Sequence, residues 1–350
     1  MRLTAPFVIA GLVLVAAPGH AQDDGRRIVV RDLVPAVKTG AYQGHNNGPE
    51  QTERFSRKVK IGRDGRFTLT NIAGDISVTA GTGDEMSIEA VKRTRGDKSE
   101  LANVQITVDE RAGRVDVRTE YDQNRDRNRR GNSVSVDYTV TLPASASAEL
   151  HSVSGAVKVT GVHGSLRAET VSGNVAIIDA PRLETAKTVS GDVSLTGVTA
   201  EGDLSAASVS GNVRAKGLKA RGVDLGSVSG DISVSEVTCE RLGVKTVSGT
   251  VEYAGGIVKG GRYEINAHSG TVRLLLTNPA GFELNANSFS GSIRSELPLT
   301  IGGDAARRND SPRGRRDSGG NSHSMRATFG DGSATLVVRT FSGDIIIARR

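Results

Sequence analysis

The sequence predicts an all-β fold: a β-helix-like solenoid of 18–21-residue coils with an irregular N-terminal β cap region. Three observations carry that expectation. First, one phrase recurs, an apolar residue or His before Ser-Gly, with Val or Ile two places after. Its glycines fall at Gly155, Gly173, Gly191, Gly211, Gly230, Gly249, Gly270 and Gly291, each 18 to 21 residues after the last, and a ninth copy carries Gly343. A period near twenty residues marks a chain whose repeats bury their apolar edges against neighbouring repeats. Second, apolar and polar residues alternate beside the phrase, as in Val193-Ser194-Leu195 and Ile232-Ser233-Val234, which is the period of half-buried strands. Third, Gly is frequent at 43 residues, Trp is absent and aromatics make up 3%, so the core must stack small aliphatics instead of large rings.

Residues 1–21 read as a signal peptide. Arg2 precedes the short apolar run Phe7–Ala17, and Gly19-His20-Ala21 offers a cleavage site before Gln22. Export to the periplasm or cell surface of a bacterium is the expectation, with no transmembrane span after cleavage. Residues 22–54 read as a flexible linker, polar apart from Ile28-Val29-Val30 and Leu33-Val34. Residues 55–145 read as an N-terminal β region or cap, with alternating segments such as Met86–Val91, Val104–Val108 and Val134–Leu142, closed by Pro143. Residues 146–350 are the solenoid, with a disordered basic insert at 302–324.

Within each coil, a Leu-x-Ala strand leads to the Ser-Gly corner and a Val-x-Val strand follows. Leu166, Leu204, Val223, Leu242 and Tyr263 stand five residues before the residue that precedes Ser-Gly, each with a partner two places on. Alternation turns these pairs inward, and the glycine permits a corner that other residues resist. Two hydroxyl columns accompany the corner. One is the Ser of each Ser-Gly; the other is Thr170, Thr188, Ser208, Ser227, Thr246, Ser288 and Thr340. A corner can reverse side-chain parity, so either column could face the core. Leu336–Arg339 and Ile345–Ala348 read as the terminal coil, with Arg349 and Arg350 guarding an open sheet edge.

Two polar inserts interrupt the repeats. The first, Asp122–Ser133, holds Arg125, Arg127, Arg129 and Arg130; the second, Gly302–Ser324, holds Arg307, Arg308, Arg313, Arg315 and Arg316. They are solvated loops or, more sharply, a basic clamp for an anionic envelope polymer or lipid. The formal charge of +6, or +5 without Arg2, suits such a partner without requiring it. No aromatics interleave with the arginines, so nucleic acid is not expected.

Catalytic patterns are scarce. No zinc-protease, redox-cysteine, nucleophile-elbow or phosphate-loop motif occurs, and His151, His163 and His268 sit near coil corners, where only an accident of winding would bring them together. Asp192, Asp231 and Asp344 follow Ser-Gly, but Asn174 and Asn212 hold the same place in other coils, so no coil gathers the oxygens that calcium needs. Cys239 forms no intramolecular disulfide and reads as a buried small apolar side chain. No catalytic residue, metal ligand or cofactor is nominated.

The order of these features resembles a known family. A secretion signal, Asn71-x-x-Gly74-Asp75-Ile76-x-Val78, a strand ending Leu142-Pro143 and serial x-Ser-Gly-Asp/Asn-Val coils are similar to the bacterial β-strand-repeat family of unknown function often labelled "putative adhesins", the toastrack domains. The resemblance covers Phe55 to the C-terminus. It implies a β-helix-like solenoid at the cell envelope, and it brings no established catalytic residues. The functional expectation is a non-catalytic envelope binding or scaffold protein acting on an envelope polymer, lipid or protein. The alternatives are an accessory sensor in envelope-stress signalling and a polysaccharide-acting β-helix enzyme.

Overall fold

Strands begin at Gln51, inside the stretch expected to be linker. The structure, a computed structural model, describes residues 49–122, 134–301 and 323–350. The expected signal peptide and all nine arginines of the two inserts lie outside the described residues. The first part of the chain forms β1 (Gln51–Lys60), β2 (Arg66–Ala73), β3 (Ile76–Gly81), β4 (Glu85–Thr94), β5 (Val104–Arg111), β6 (Arg114–Tyr121) and β7 (Ser135–Pro143), with a 3-10 turn at Lys98–Asn103. The repeats then follow as pairs: β8 (Ser147–Ser154) and β9 (Val157–Thr160), β10 (Leu166–Ser172) and β11 (Val175–Ile178), β12 (Leu183–Ser190) and β13 (Val193–Thr196), β14 (Asp203–Ser210) and β15 (Val213–Lys216). The series continues with β16 (Lys219–Ser229) and β17 (Ile232–Ser235), β18 (Thr238–Ser248) and β19 (Val251–Gly255), β20 (Arg262–Ser269) and β21 (Val272–Leu276), β22 (Phe282–Ser290) and β23 (Ile293–Ser295). The last strands are β24 (Thr300–Ile301), β25 (His323–Phe329), β26 (Ala334–Ser342) and β27 (Ile345–Arg349).

Each coil places its longer strand in one sheet and its shorter strand in another, so a coil has two strands. Among the described residues the sheets hold 13 and 14 strands, and the repeat strands pair in parallel. Register is kept from coil to coil apart from one bulge, where Leu166 and Arg167 face Leu183 and Thr185: Ala168 lies between Leu150 and Ala186, and Ile177 between Val159 and Leu195. The inward rows are the ones the alternation predicts; Leu166, Ala168, Val175 and Ile177 are fully buried, and their equivalents are buried along the stack up to the outermost coil, where Ile293 and Ser295 are only half-buried. A third aliphatic row, Val162, Ala180, Val198, Leu218, Val237 and Ile257, pins the turn that returns the chain to the first sheet. A slip of one residue would turn these rows into water, so the repeat fixes its own register.

The core is continuous across residue 145. Phe67, Leu69, Ile76 and Val78 belong to the same apolar cluster as the repeats, because β2 pairs with β8 and β3 with β9 as an early coil. The remaining N-terminal strands close this end with antiparallel pairs, β1 with β4 and β5 with β6. Both terminal strands, β1 and β5, are rich in charge, which disfavours pairing with a further edge.

The coil at the C-terminus does not end the stack, contrary to the expectation from sequence. β26 lies between β20 and β22, and β27 between β21 and β23. The coil that precedes it in sequence is displaced outward and is covered by antiparallel β25 and then β24. Arg349 and Arg350 therefore guard no outer edge. The reason is chemical equivalence: β26 and β27 carry the repeat grammar and fit between any two coils. His323 and Ser324, expected in the basic insert, are strand residues opposite Ser288 and Asn287.

Candidate functional site

The corner explains itself atom by atom. Its glycines adopt positive φ, between 144° and 159° from Gly155 through Gly291 and at Gly343. A Cβ on Gly211 would sit 2.0 Å from the Gly191 carbonyl oxygen, and one on Gly173 would meet Gly155 at the same distance. The corners thus stack backbone on backbone, and only glycine fits. From Gly155 through Gly270, and at Gly343, the corner glycine N–H donates to the Ser carbonyl of the next coil in space, as from Gly173 to Ser190 at 2.9 Å.

The corner also reverses side-chain parity, which decides between the two hydroxyl columns. The upstream column faces in: Thr170, Thr188, Ser208, Ser227, Thr246, Ser288 and Thr340 are buried. Five of them donate to the glycine carbonyl of the neighbouring coil, Thr188 to Gly173 at 2.8 Å and Ser208 to Gly191 at 2.8 Å among them. Ser152, Thr246 and Thr340 share the column but have no hydroxyl partner. Asn71 replaces the hydroxyl in the early coil, where its amide donates to Val136 and Gly74. The serines of Ser-Gly face solvent.

After the glycine comes a ladder of Asp and Asn side chains. Asn174 Oδ1 accepts from the Asp192 N–H at 2.8 Å, Asp192 from Asn212 at 2.8 Å, Asn212 from Asp231 at 2.9 Å and Asp231 from Thr250 at 2.7 Å. Only a side-chain oxygen is required, so Asp and Asn interchange. The pattern that invited a calcium test is corner hydrogen bonding.

Sequence reasoning missed the most exposed feature. The residue before each Ser-Gly, and Ile72 before Ala73-Gly74 in the early coil, lies on the outer face, and in spatial order these residues are Ile72, Val153, Val171, Val189, Val209, Val228, Val247, His268, Phe341 and Phe289. The valines other than Val228 are 46–48% exposed, a large fraction for apolar side chains repeated in one line. The line ends in stacked rings: Phe289 and Phe341 have centroids 4.8 Å apart, and His268 lies 5.0 Å from Phe341. Exposed serines run beside it, giving an apolar ridge with a hydroxyl border. The signal was available in the strand alternation: with Thr170 inward, Val171 must face out.

Other surfaces offer less. Six carboxylates are held below their ordinary range by a donor: Asp192 by the Asn212 N–H, Glu184 by the Ser165 hydroxyl, Asp116 by Arg114, Asp84 by Lys60, Asp331 by Ser333 and Asp344 by the Ser292 N–H. A general acid needs the opposite shift. A shallow depression lined by Asn212, Arg214, Asp231, Ser233 and Glu252 opens on the other sheet, with Arg214 tied to Asp192 at 2.6 Å. His151 lies against Glu149 and Glu169, His163 near Asp179 and His268 on Phe341, so the three histidines have separate surroundings. No group of three or more His, Cys, Asp or Glu suited to a metal occurs among the described residues. Burial pushes the Cys239 thiol up to about 12, so it is not a thiolate at neutral pH. No helix among the described residues is long and apolar enough to cross a membrane.

Comparison with known proteins gives a family and a set of solved structures. The description of the family Toastrack DUF4097 matches residues 66–348. A Bacteroides fragilis protein described as a "putative adhesin" has 13% identity and a TM-score of 0.42, covering 84% of this chain and 97% of its own. A Parabacteroides distasonis "putative lipid binding protein" has 13% identity and a TM-score of 0.31, covering 87% and 98%. A Parabacteroides merdae "putative adhesin" has 9% identity and a TM-score of 0.31, with the same coverages of 87% and 98%. No curated protein matches the chain.

Proposed function

Because the chain belongs to the Toastrack DUF4097 family, we propose that it is an exported, non-catalytic binding or scaffold protein of the cell envelope whose working surface is the ridge from Ile72 to Phe289. One observation carries this reading: eight of the ten adjacent strands place an exposed apolar side chain on the ridge, with half-buried Val228 and polar His268 at the other two, while the serines of the Ser-Gly corners stay wet. Burying such a line stabilises a complex through apolar area removed from water, and the serine border supplies hydrogen bonds. The periodicity suits an extended partner lying along the stack, an envelope polymer, lipid assembly or protein segment.

Capture from envelope extract tests it with three baits: the mature chain, a ridge variant (Val171→Ser, Val189→Ser, Val209→Ser, Phe289→Ser, Phe341→Ser) and a chain lacking residues 302–322. The reading predicts one partner retained by the mature chain and the deletion but lost by the ridge variant. Salt-sensitive loss in the deletion alone would assign binding to the arginines of the basic insert instead. A membrane-protein partner would favour the envelope-stress role, and cleavage of a recovered polysaccharide would overturn the non-catalytic reading.

A further inference from the structure

The order of coils in space departs from their order in sequence at one place. β20/β21 and β22/β23 are consecutive in sequence, yet the C-terminal coil, β26/β27, separates them. All three coils write the same columns. Tyr263, Leu336 and Leu284 are in register, as are Ile265, Val338 and Ala286, then Ser269, Ser342 and Ser290, and across the corner Val272, Ile345 and Ile293. The slot between the outer two therefore has the geometry of any interface in the stack. It presents the Gly270 and Val272 N–H groups as donors on one wall, now bonded to Ser342 and Asp344 at 2.9 Å. On the other wall it presents the Ser290 and Ser292 carbonyls, which accept from Gly343 at 3.0 Å and Ile345 at 2.9 Å. The coil that fills it buries Ala334, Leu336, Val338, Ile345 and Ile347.

We propose that this slot is a coil-acceptor site, and that its partner in trans is the Ala334–Arg349 coil of a second copy of the chain. The hinge supports the exchange. Only Gly330–Ser333 joins β25 to β26, and those four residues must cross the end of β22, which lies between the two strands. Gly330 and Gly332 take φ of 60° and 65°, and Gly281 is packed so closely that a Cβ there would meet Asp331. A short, tightly folded hinge favours the extended, exchanged form. Reciprocal exchange is two-fold symmetric and rebuilds each buried contact of the coil, so protein concentration during folding selects between the closed and exchanged forms.

The test uses the full chain carrying Asn266→Cys and Arg339→Cys, a register pair on the outward face of β20 and β26. Adjacent strands bring such a pair within disulfide reach. The protein is refolded at a series of concentrations, oxidised with glutathione disulfide and run on a non-reducing gel. The expected result is an intramolecular disulfide after dilute refolding and a covalent dimer whose share rises with concentration, both absent from chains that carry only one of the two substitutions beside the buried native Cys239. An intramolecular disulfide alone at every concentration would overturn the exchange, and no disulfide at all would overturn the placement of β26 beside β20. Should the variant not refold, light scattering of the unmodified chain decides. A dimer that forms on concentrated refolding and survives dilution upholds the proposal, and monomer throughout overturns it.

Discussion

At the corner, one hydrogen atom on a glycine decides whether two coils can meet. Gly211→Ala places a Cβ 2.0 Å from the Gly191 carbonyl and should lower stability by at least about 2 kcal/mol, because backbone must move on both coils. Gly197→Ala is the matched control. Its φ of 63° is also positive but its Cβ would meet nothing, so the cost should be about 1–2 kcal/mol, the left-handed conformation alone. Chemical denaturation of both variants separates crowding from backbone preference. Thr188→Val keeps the shape but removes the donor to the Gly173 carbonyl, with an expected loss of about 1–2 kcal/mol. The Asp ladder makes a prediction in pH. Asp192 and Asp344 have folded values below the ordinary 3.8, so the stability they contribute is present above 3.8 and lost as pH falls through their folded values. The melting temperature should drop below pH 4, and Asp192→Asn, which keeps an oxygen for the Asn212 N–H, should show a smaller acid-dependent loss.

At the scale of the element, the two strands of a coil were legible because period-two alternation states which residues face in. Leu166, Ala168, Val175 and Ile177 needed no structure to be placed in the core. The outward direction of Val171 and Val189 was harder to see, since an apolar residue beside a turn is read as core by its type. Parity across the corner was not legible either: Thr170 and Val175 both face inward although five positions apart, and glycine backbone geometry alone makes that possible. The ridge should therefore be nearly dispensable for folding. Val189→Ser should cost less than about 1 kcal/mol, whereas Leu195→Ala, six residues later in the same coil, should cost about 2–5 kcal/mol. A loss of several kcal/mol on removing Val189 would make the ridge a structural feature and weaken its claim as a binding surface.

For the whole molecule, the family and the solenoid could be read from the serial corners, but the coil order could not. Repeats with one grammar fit one another in any order, so nothing within Ala334–Arg349 states that it belongs inside the stack. One hint existed: Phe289 and Phe341 are the two corners that carry Phe, and their rings stack directly on each other. The arginines of the inserts, the most conspicuous charges in the sequence, lie outside the described residues. The ridge and those arginines thus make opposing claims about where a partner binds. Site-specific photo-crosslinking in living cells decides between them, with the photoreactive residue placed at Val189 on the ridge, at Ser233 on the opposite sheet or at Arg313 in the insert. The account predicts one discrete adduct from Val189 and none from Ser233 or Arg313. An adduct from Arg313 or Ser233 with Val189 silent would contradict it.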